Sequence, residues 1–232
     1  VPVPSAASDP LRAPSAPSTT LFPSVTVAAI LAFIALIVSG FVHRISLPRV
    51  LTDGEMKING LYLHPTPRNF GELALIDHEG KPFTGARFEG RWSLVFFGFT
   101  YCPDVCPTTM AFLNEFVAEL EGTEAENTQI VMGSVDPARD TVEQLASYVP
   151  YFNPDFVGVT GEFLDIHRFA TALNTPFRKV AGQDGDYQVD HSANIVLINP
   201  RGDYHGFFKA PLDQGQMKLT YRSAIELWNQ VH

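Results

Sequence analysis

The 232 residues hold only two cysteines, Cys102 and Cys106, four positions apart. A disulfide framework needs several pairs at long spacing, and closing so short a loop removes little chain entropy. The pair therefore reads as reactive or metal-binding rather than as a staple. Positive charge is also in short supply: 16 Lys and Arg stand against 25 Asp and Glu, a formal net charge of −9. That balance argues against nucleic acid or an anionic bilayer surface as the main partner, while it tolerates a cation. No internal repeat appears, and no Asp, Glu, Lys or Arg lies between Arg12 and Arg44.

That charge-free stretch organises the first part of the chain. Residues 1–24 are rich in Pro, Ser and Ala, a disordered composition. Val25–Val42 follows, 18 apolar and small residues; as a helix it would be about 27 Å long, close to the roughly 30 Å hydrocarbon core of a bilayer. A signal peptide has a shorter apolar region behind a basic start, and a helix at a domain's edge shows a polar face that this one lacks. A single transmembrane anchor is expected. Counting basic residues, Arg12 before it against Arg44, Arg49 and Lys57 after it, puts the C-terminal part in the cytoplasm. Residues 43–69, with Pro48, Pro65 and Pro67 and no sustained period, read as a linker.

From residue 70 to 232 the pattern is that of an α/β domain, and 45% hydrophobic residues suffice for a packed core. Residues 70–76 alternate weakly and end in Asp77-His78-Glu79-Gly80, so a hairpin is expected. Residues 94–99, LVFFGF, form the continuous apolar run of a strand covered on both faces. Met110, Leu113, Phe116, Val117 and Leu120 mark a helix face, and residues 130–135 the next strand. Asp140, with Glu143 at the capping-box position, is expected to cap a helix running to about Val149. A strand over 156–159, a helix over 162–173, a hairpin built on Asn199-Pro200-Arg201-Gly202-Asp203 and a helix over 214–231 complete the order. Strands alternating with helices require a parallel centre, and the late hairpin adds an antiparallel edge. A thioredoxin-like α/β/α layered domain fits.

The cysteines stand in Cys102-Pro103-Asp104-Val105-Cys106-Pro107, directly after the buried strand, where open α/β sheets place their sites. Pro107 disfavours helical torsions at Cys106 and suits a first helical turn, so Cys106 is expected at the N-cap. Unpaired N–H groups there would favour thiolate, the form that attacks disulfides and binds soft metals. Three intervening residues open the bite of the pair beyond that of Cys-x-x-Cys. A thiolate pair needs a third ligand for trigonal Cu(I), and imidazole is suitable. His43 and His232 lie beside the anchor and at the C-terminus, His64 in the linker, His78 in a turn and His167 on a helix; packing or solvated roles suit all five. His205 is an alternative. His191, in Val189-Asp190-His191-Ser192-Ala193 just before an apolar strand, is best placed, with Asp190 or Ser192 to orient its ring.

Residues 97–107, FGFTYCPDVCP, resemble the signature of the Sco/SenC copper-chaperone family. Ser134-Val135-Asp136-Pro137-Ala138-Arg139-Asp140-Thr141 is similar to a second family block and Val189-Asp190-His191-Ser192 to a third. The resemblance runs from about Phe70 to Trp228. It implies that Cys102, Cys106 and His191 are copper ligands. It further implies delivery of copper to the binuclear CuA centre of cytochrome c oxidase subunit II, or thiol reduction of that centre's cysteines. An anchor with the domain outside the cytoplasm also follows from it, periplasmic in bacteria or in the mitochondrial intermembrane space, against the charge count. The family is preferred there, because the count rests on a few residues. The second block has no metal role that sequence supplies; strand exit and helix cap account for it.

Two classes of function remain open at this point. A chaperone holding Cu(I), and in a further option Cu(II), is a binding protein without turnover. A thiol–disulfide oxidoreductase of the cell envelope is an enzyme using Cys102 and Cys106 alone. A peroxidase would need an activating pocket around one cysteine, and the paired, proline-flanked cysteines speak against it.

Overall fold

A computed structural model describes residues 22–46, 49–120, 122–181 and 187–232. Residues 1–21, most of the segment expected to be disordered, lie outside the described residues. The chain divides between Arg49 and Val50 into two compact units.

In the first unit Phe22–Ser46 forms one helix, α1. It takes in residues 22–24, expected in the disordered segment; Pro23 falls in its first turn, where a missing N–H costs nothing. Its central window Val25–Val42 has a mean hydropathy of 2.7 and is 0% buried within the protein. Phe33 and Leu36 are among the large apolar side chains exposed along it. A helix satisfies its own backbone groups, so a helix apolar on every face is a candidate membrane span.

The second unit begins earlier than the sequence pattern suggests. Within the supposed linker 43–69, Thr52 and Glu55 form a reciprocal capping box for α2, Asp53–Ile58. Leu61–Arg68 follows as strand β1, with Leu61 fully buried. Prolines 65 and 67 hid this strand, because Pro cannot donate to a ladder and is confined to edges. β1 is indeed an edge strand, its register irregular between Leu63 and Arg68.

The expected hairpin is β2, Leu75–Asp77, with β3, Pro82–Phe83. The central strands are β4, Trp92–Gly98, buried along its whole length, β5, Thr128–Ser134, and β6, Val157–Thr160. They alternate with helices α3, Val105–Ala118, the short α4, Thr123–Glu126, α5, Val142–Phe152, and α6, Phe163–Ala172. A small hairpin, β7 at Arg178–Ala181 with β8 at Tyr187–Asp190, stands outside the main sheet and was not anticipated. Strands β9, Ile195–Ile198, and β10, Tyr204–Phe208, and helix α7, Gln214–Asn229, close the chain.

The eight-stranded order is β1-β10-β9-β4-β5-β6-β2-β3. β4, β5 and β6 run parallel and the flanking pairings are antiparallel, as the element order requires. Successive side chains of β4 point to opposite faces. Phe97 meets Phe169 of α6 on one face. On the other, the space above Gly98 is filled by the Phe96 ring and the Cys106 sulfur of α3, and a Cβ added at Gly98 would stand 3.0 Å from that sulfur. Leu94 through Phe97 are 0% exposed, so the strand that ends at the cysteine loop is anchored in the centre of the core.

Candidate metal centre

The chain leaves β4 at Gly98 and turns at once, the Cys102 N–H donating to the Phe99 carbonyl at 3.2 Å. Helix α3 starts two residues earlier than expected: Asp104 holds the N-cap position, without a side-chain cap bond, and Cys106 lies inside the first turn. Pro107 is tolerated there because first-turn N–H groups have no intrahelical acceptor. Cys106 is fully buried and Cys102 partly so, and both are free thiols.

His191 reaches the same point from 85 positions along the chain, its Nε2 standing 3.6 Å from Cys106 Sγ. Its Nδ1 faces the Ser192 carbonyl oxygen at 3.1 Å. A carbonyl only accepts, so the ring proton sits on Nδ1, and Nε2 turns its lone pair toward the sulfur. The ring packs edge-on against Phe96 and Phe99 at 6.1 and 5.9 Å. Burial, above all, lowers the His191 pKa, opposed by the Ser192 bond and the Asp190 charge. Neutral imidazole, the ligating form, is thereby favoured. Of the two residues expected to orient the ring, Ser192 does so through its carbonyl. Asp190 is engaged by Arg178 at 3.1 Å.

Cys106 differs from expectation. Burial drives its thiol pKa well up, outweighing the Phe99 backbone hydrogen bond, and Cys102 beside it adds to the rise. In the metal-free protein Cys106 is a thiol, so a metal must displace its proton. No group of three or more His, Cys, Asp or Glu side chains is already assembled around a metal-sized space among the described residues. The structure brings Cys106 and His191 together with Cys102 beside Cys106. The donor chemistry, two soft sulfurs and an imidazole, fits Cu(I).

The other described histidines are elsewhere. His205 lies against Trp92 and Trp228, and its Nδ1 accepts from Asn199 Nδ2 at 3.3 Å. His64 packs on Tyr204, His167 on Phe163 and Phe177, and His232 stacks on Trp228. His78 Nδ1 accepts from the Gly158 N–H at 3.0 Å. The side chain of His43 lies outside those described.

The second signature block does more than exit a strand. Asp140 is no cap: Thr141 holds that position and accepts from the Gln144 N–H. The Asp140 carboxylate, fully buried, accepts from Thr100 Oγ1 and Ser134 Oγ, both at 2.7 Å, tying the ends of β4 and β5 together. Asp136 is likewise buried and is held by Arg139 Nε, by Lys179 Nζ at 3.6 Å and by the Tyr187 hydroxyl at 2.7 and 3.0 Å. The Arg139 guanidinium lies over the rings of Tyr187, Tyr101 and Phe99 at 3.9, 5.0 and 5.7 Å. It therefore bridges the residue before Cys102 to the small hairpin that leads into His191. Sequence reading missed this bridge; the charged Asp-x-x-Arg pairing in the block was its only local signal.

A cleft of about 300 Å³ adjoins the loops, lined by Asp104, Val105, Phe112, Ala193 and Leu212 among others. A second, of about 420 Å³, opens on His191 itself beside Phe177 and Arg178. Both loops are thus approachable from outside.

A Stutzerimonas stutzeri protein provisionally named as copper-binding is 37% identical over 169 residues, 72% of this chain and 83% of that one. The mouse protein SCO2 homolog, mitochondrial, is 40% identical over 143 residues, 59% of this chain but only 55% of that longer protein. The crystal structure of Arabidopsis thaliana ScoI with copper bound superposes with a TM-score of 0.62 at 31% identity, covering 69% of this chain and 98% of that one. The fold is the thioredoxin-like α/β fold of the Sco structures. A model of the SCO1/SenC family matches residues 64–226, a span that takes in both cysteines and His191, and this chain belongs to that family.

Proposed function

We propose that this protein is a membrane-anchored copper carrier that holds the metal through Cys102, Cys106 and His191. It passes the metal to the CuA site of cytochrome c oxidase subunit II, or prepares that site by reducing its cysteines. In this reading α1 is a single span, and the domain that begins at Val50 works outside the cytoplasm, in the periplasm or the mitochondrial intermembrane space. The observation that carries the reading is the 3.6 Å approach of the His191 lone-pair nitrogen to the Cys106 sulfur. Two thiolates and a neutral imidazole form a soft set suited to Cu(I), and copper accompanies the relatives described above. Each thiol exchanges its proton for the metal, with the proton leaving to solvent, so uptake is pH-dependent.

One observation favours a second reading as a thiol–disulfide oxidoreductase: adjacent free thiols, one partly exposed and one buried. Copper stoichiometry on the reduced protein separates the two. The carrier binds one copper, loses it when the cysteines are oxidised to a disulfide, and loses most of it in His191→Ala. Equal copper binding by oxidised and reduced protein would overturn the site. Full thiol activity in His191→Ala, with no copper bound by wild type, would favour the oxidoreductase.

A further inference from the structure

Among the described residues, two buried side-chain atoms have no hydrogen-bond partner, and one of them is the Tyr148 hydroxyl oxygen. Native interiors seldom leave a buried hydroxyl unpaired without a cause. Its place in the fold suggests one. Helix α5 lies along α3 and is pinned at both ends. At one end Asn153 Nδ2 donates to Asn114 Oδ1 at 2.8 Å. At the other, Gln144 Nε2 donates to Thr100 Oγ1 at 3.3 Å, where the cysteine loop begins. Tyr148 is one turn from Gln144 on the same helix face, between those two pins, so it addresses the first turns of α3, where Cys106 sits. Burial raises its pKa, and Cys106, Cys102 and Asp140 are the groups whose ionisation would raise it further. The Asp140 oxygens are already given to Thr100 and Ser134. The cysteine sulfurs, weak acceptors as thiols, are the other candidates on that side.

We propose that the Tyr148 hydroxyl donates a hydrogen bond to a metal-bound cysteine sulfur, a partner it gains only when the thiol becomes a thiolate ligand. This rests on the copper reading above and deepens it. A neutral thiol is a weak acceptor and a thiolate a strong one, so the bond is charge-assisted only in the loaded state. The exchange balances without a redox step: an S–H bond breaks, a sulfur–metal bond forms, and the proton leaves to solvent. Tyr148 is then a positioning residue that favours the loaded form and draws electron density from the sulfur.

Tyr148→Phe in the full chain tests this with two readouts of opposite sign. The metal-free variant should melt no lower than wild type, because an unpaired hydroxyl has been removed. Its Cu(I) affinity, measured against a chromophoric chelator, should fall roughly tenfold, the loss expected for one hydrogen bond to a charged acceptor. In the Cu(II) form the sulfur-to-copper charge-transfer band should move to longer wavelength, since a sulfur without the bond is easier to oxidise. Tyr151→Phe, at an exposed position on the same helix, should change none of these. Unaltered affinity and band position in Tyr148→Phe overturn the proposal. So does a lower melting temperature of the metal-free variant, which would mean that the hydroxyl already has a partner. A wild-type chain that takes up no copper sinks the metal reading itself, and the proposal with it.

Discussion

The two ends of β4 each carry a histidine set among aromatic rings, and their hydrogen bonds separate them. At the carboxyl end, His191 spends its proton on the Ser192 carbonyl and turns a free lone pair to Cys106. At the amino end, the lone pair of His205 Nδ1 is taken by the Asn199 amide, while Trp92 and Trp228 crowd the ring. Burial lowers both pKa values. A buried neutral histidine is therefore not by itself a ligand; which nitrogen a neighbour occupies decides whether metal can bind.

The sharpest way to break this comparison is to remove the donors at one end and watch the other. Cys106→Ser should abolish copper binding, a loss of at least about a thousandfold for a soft metal deprived of a thiolate, read by stoichiometry on reduced protein. His205→Ala should leave copper affinity unchanged while lowering stability by about 2–3 kcal/mol, the cost of a truncated side chain in a packed interior. Weakened copper binding in His205→Ala would erase the distinction between the ends.

Next in size is the bridge beside the metal loops. Among the described residues, Arg139→Ala leaves buried Asp136 with Lys179 and Tyr187 as side-chain partners, so denaturation should show a loss of about 3 kcal/mol, the low end for breaking a buried ion pair. Copper affinity should fall as well, because Arg139 also stacks on Tyr101 beside Cys102. Arg139→Lys should recover part of the stability but less of the affinity, for an ammonium does not stack as a guanidinium does.

Acid sharpens the comparison from the amino end. Burial, followed by the charges of His64, Arg201 and His232, depresses His205 from 6.5 to about 4. The unfolded chain takes up this proton first as pH falls. The stability in question is thus fully present above about pH 6.5 and is lost progressively down to about pH 4. Its total is at most about 3 kcal/mol. Comparing the pH dependence of unfolding in wild type and His205→Phe should show this slope removed. The smallest effect is expected far from both ends: Lys57→Ala breaks an exposed pair with Asp53 and should cost under about 0.5 kcal/mol.

Much of the site was legible because its signals are local. The apolar run of β4, the cysteines at its end and the prolines that stiffen the loop all lie between residues 94 and 107. The places where the reading slipped share a physical cause. Strand β1 was hidden by Pro65 and Pro67, which mark an edge strand as readily as a linker. The β7–β8 hairpin buries little besides Val189, so it has no alternating pattern to detect. Asp140 looked like a cap because spacing alone cannot say whether a carboxylate faces a helix end or the buried ends of two strands. The expected low-pKa thiolate failed for a related reason: a helix N-terminus is visible in sequence, whereas the depth of burial that outweighs it is not.

The sequence by itself determined the cysteine loop, the α/β order and an apolar segment long enough to cross a bilayer, because spacing, proline geometry and hydrophobic run length act over short stretches of chain. Tertiary structure alone decided which histidine faces the sulfur. Antiparallel pairing sets Ile195 opposite Phe96, and this brings His191 to the carboxyl end of β4 and leaves His205 at the other. It also decided that Cys106 is a buried thiol, since burial is a property of the packed core and not of the residues on either side.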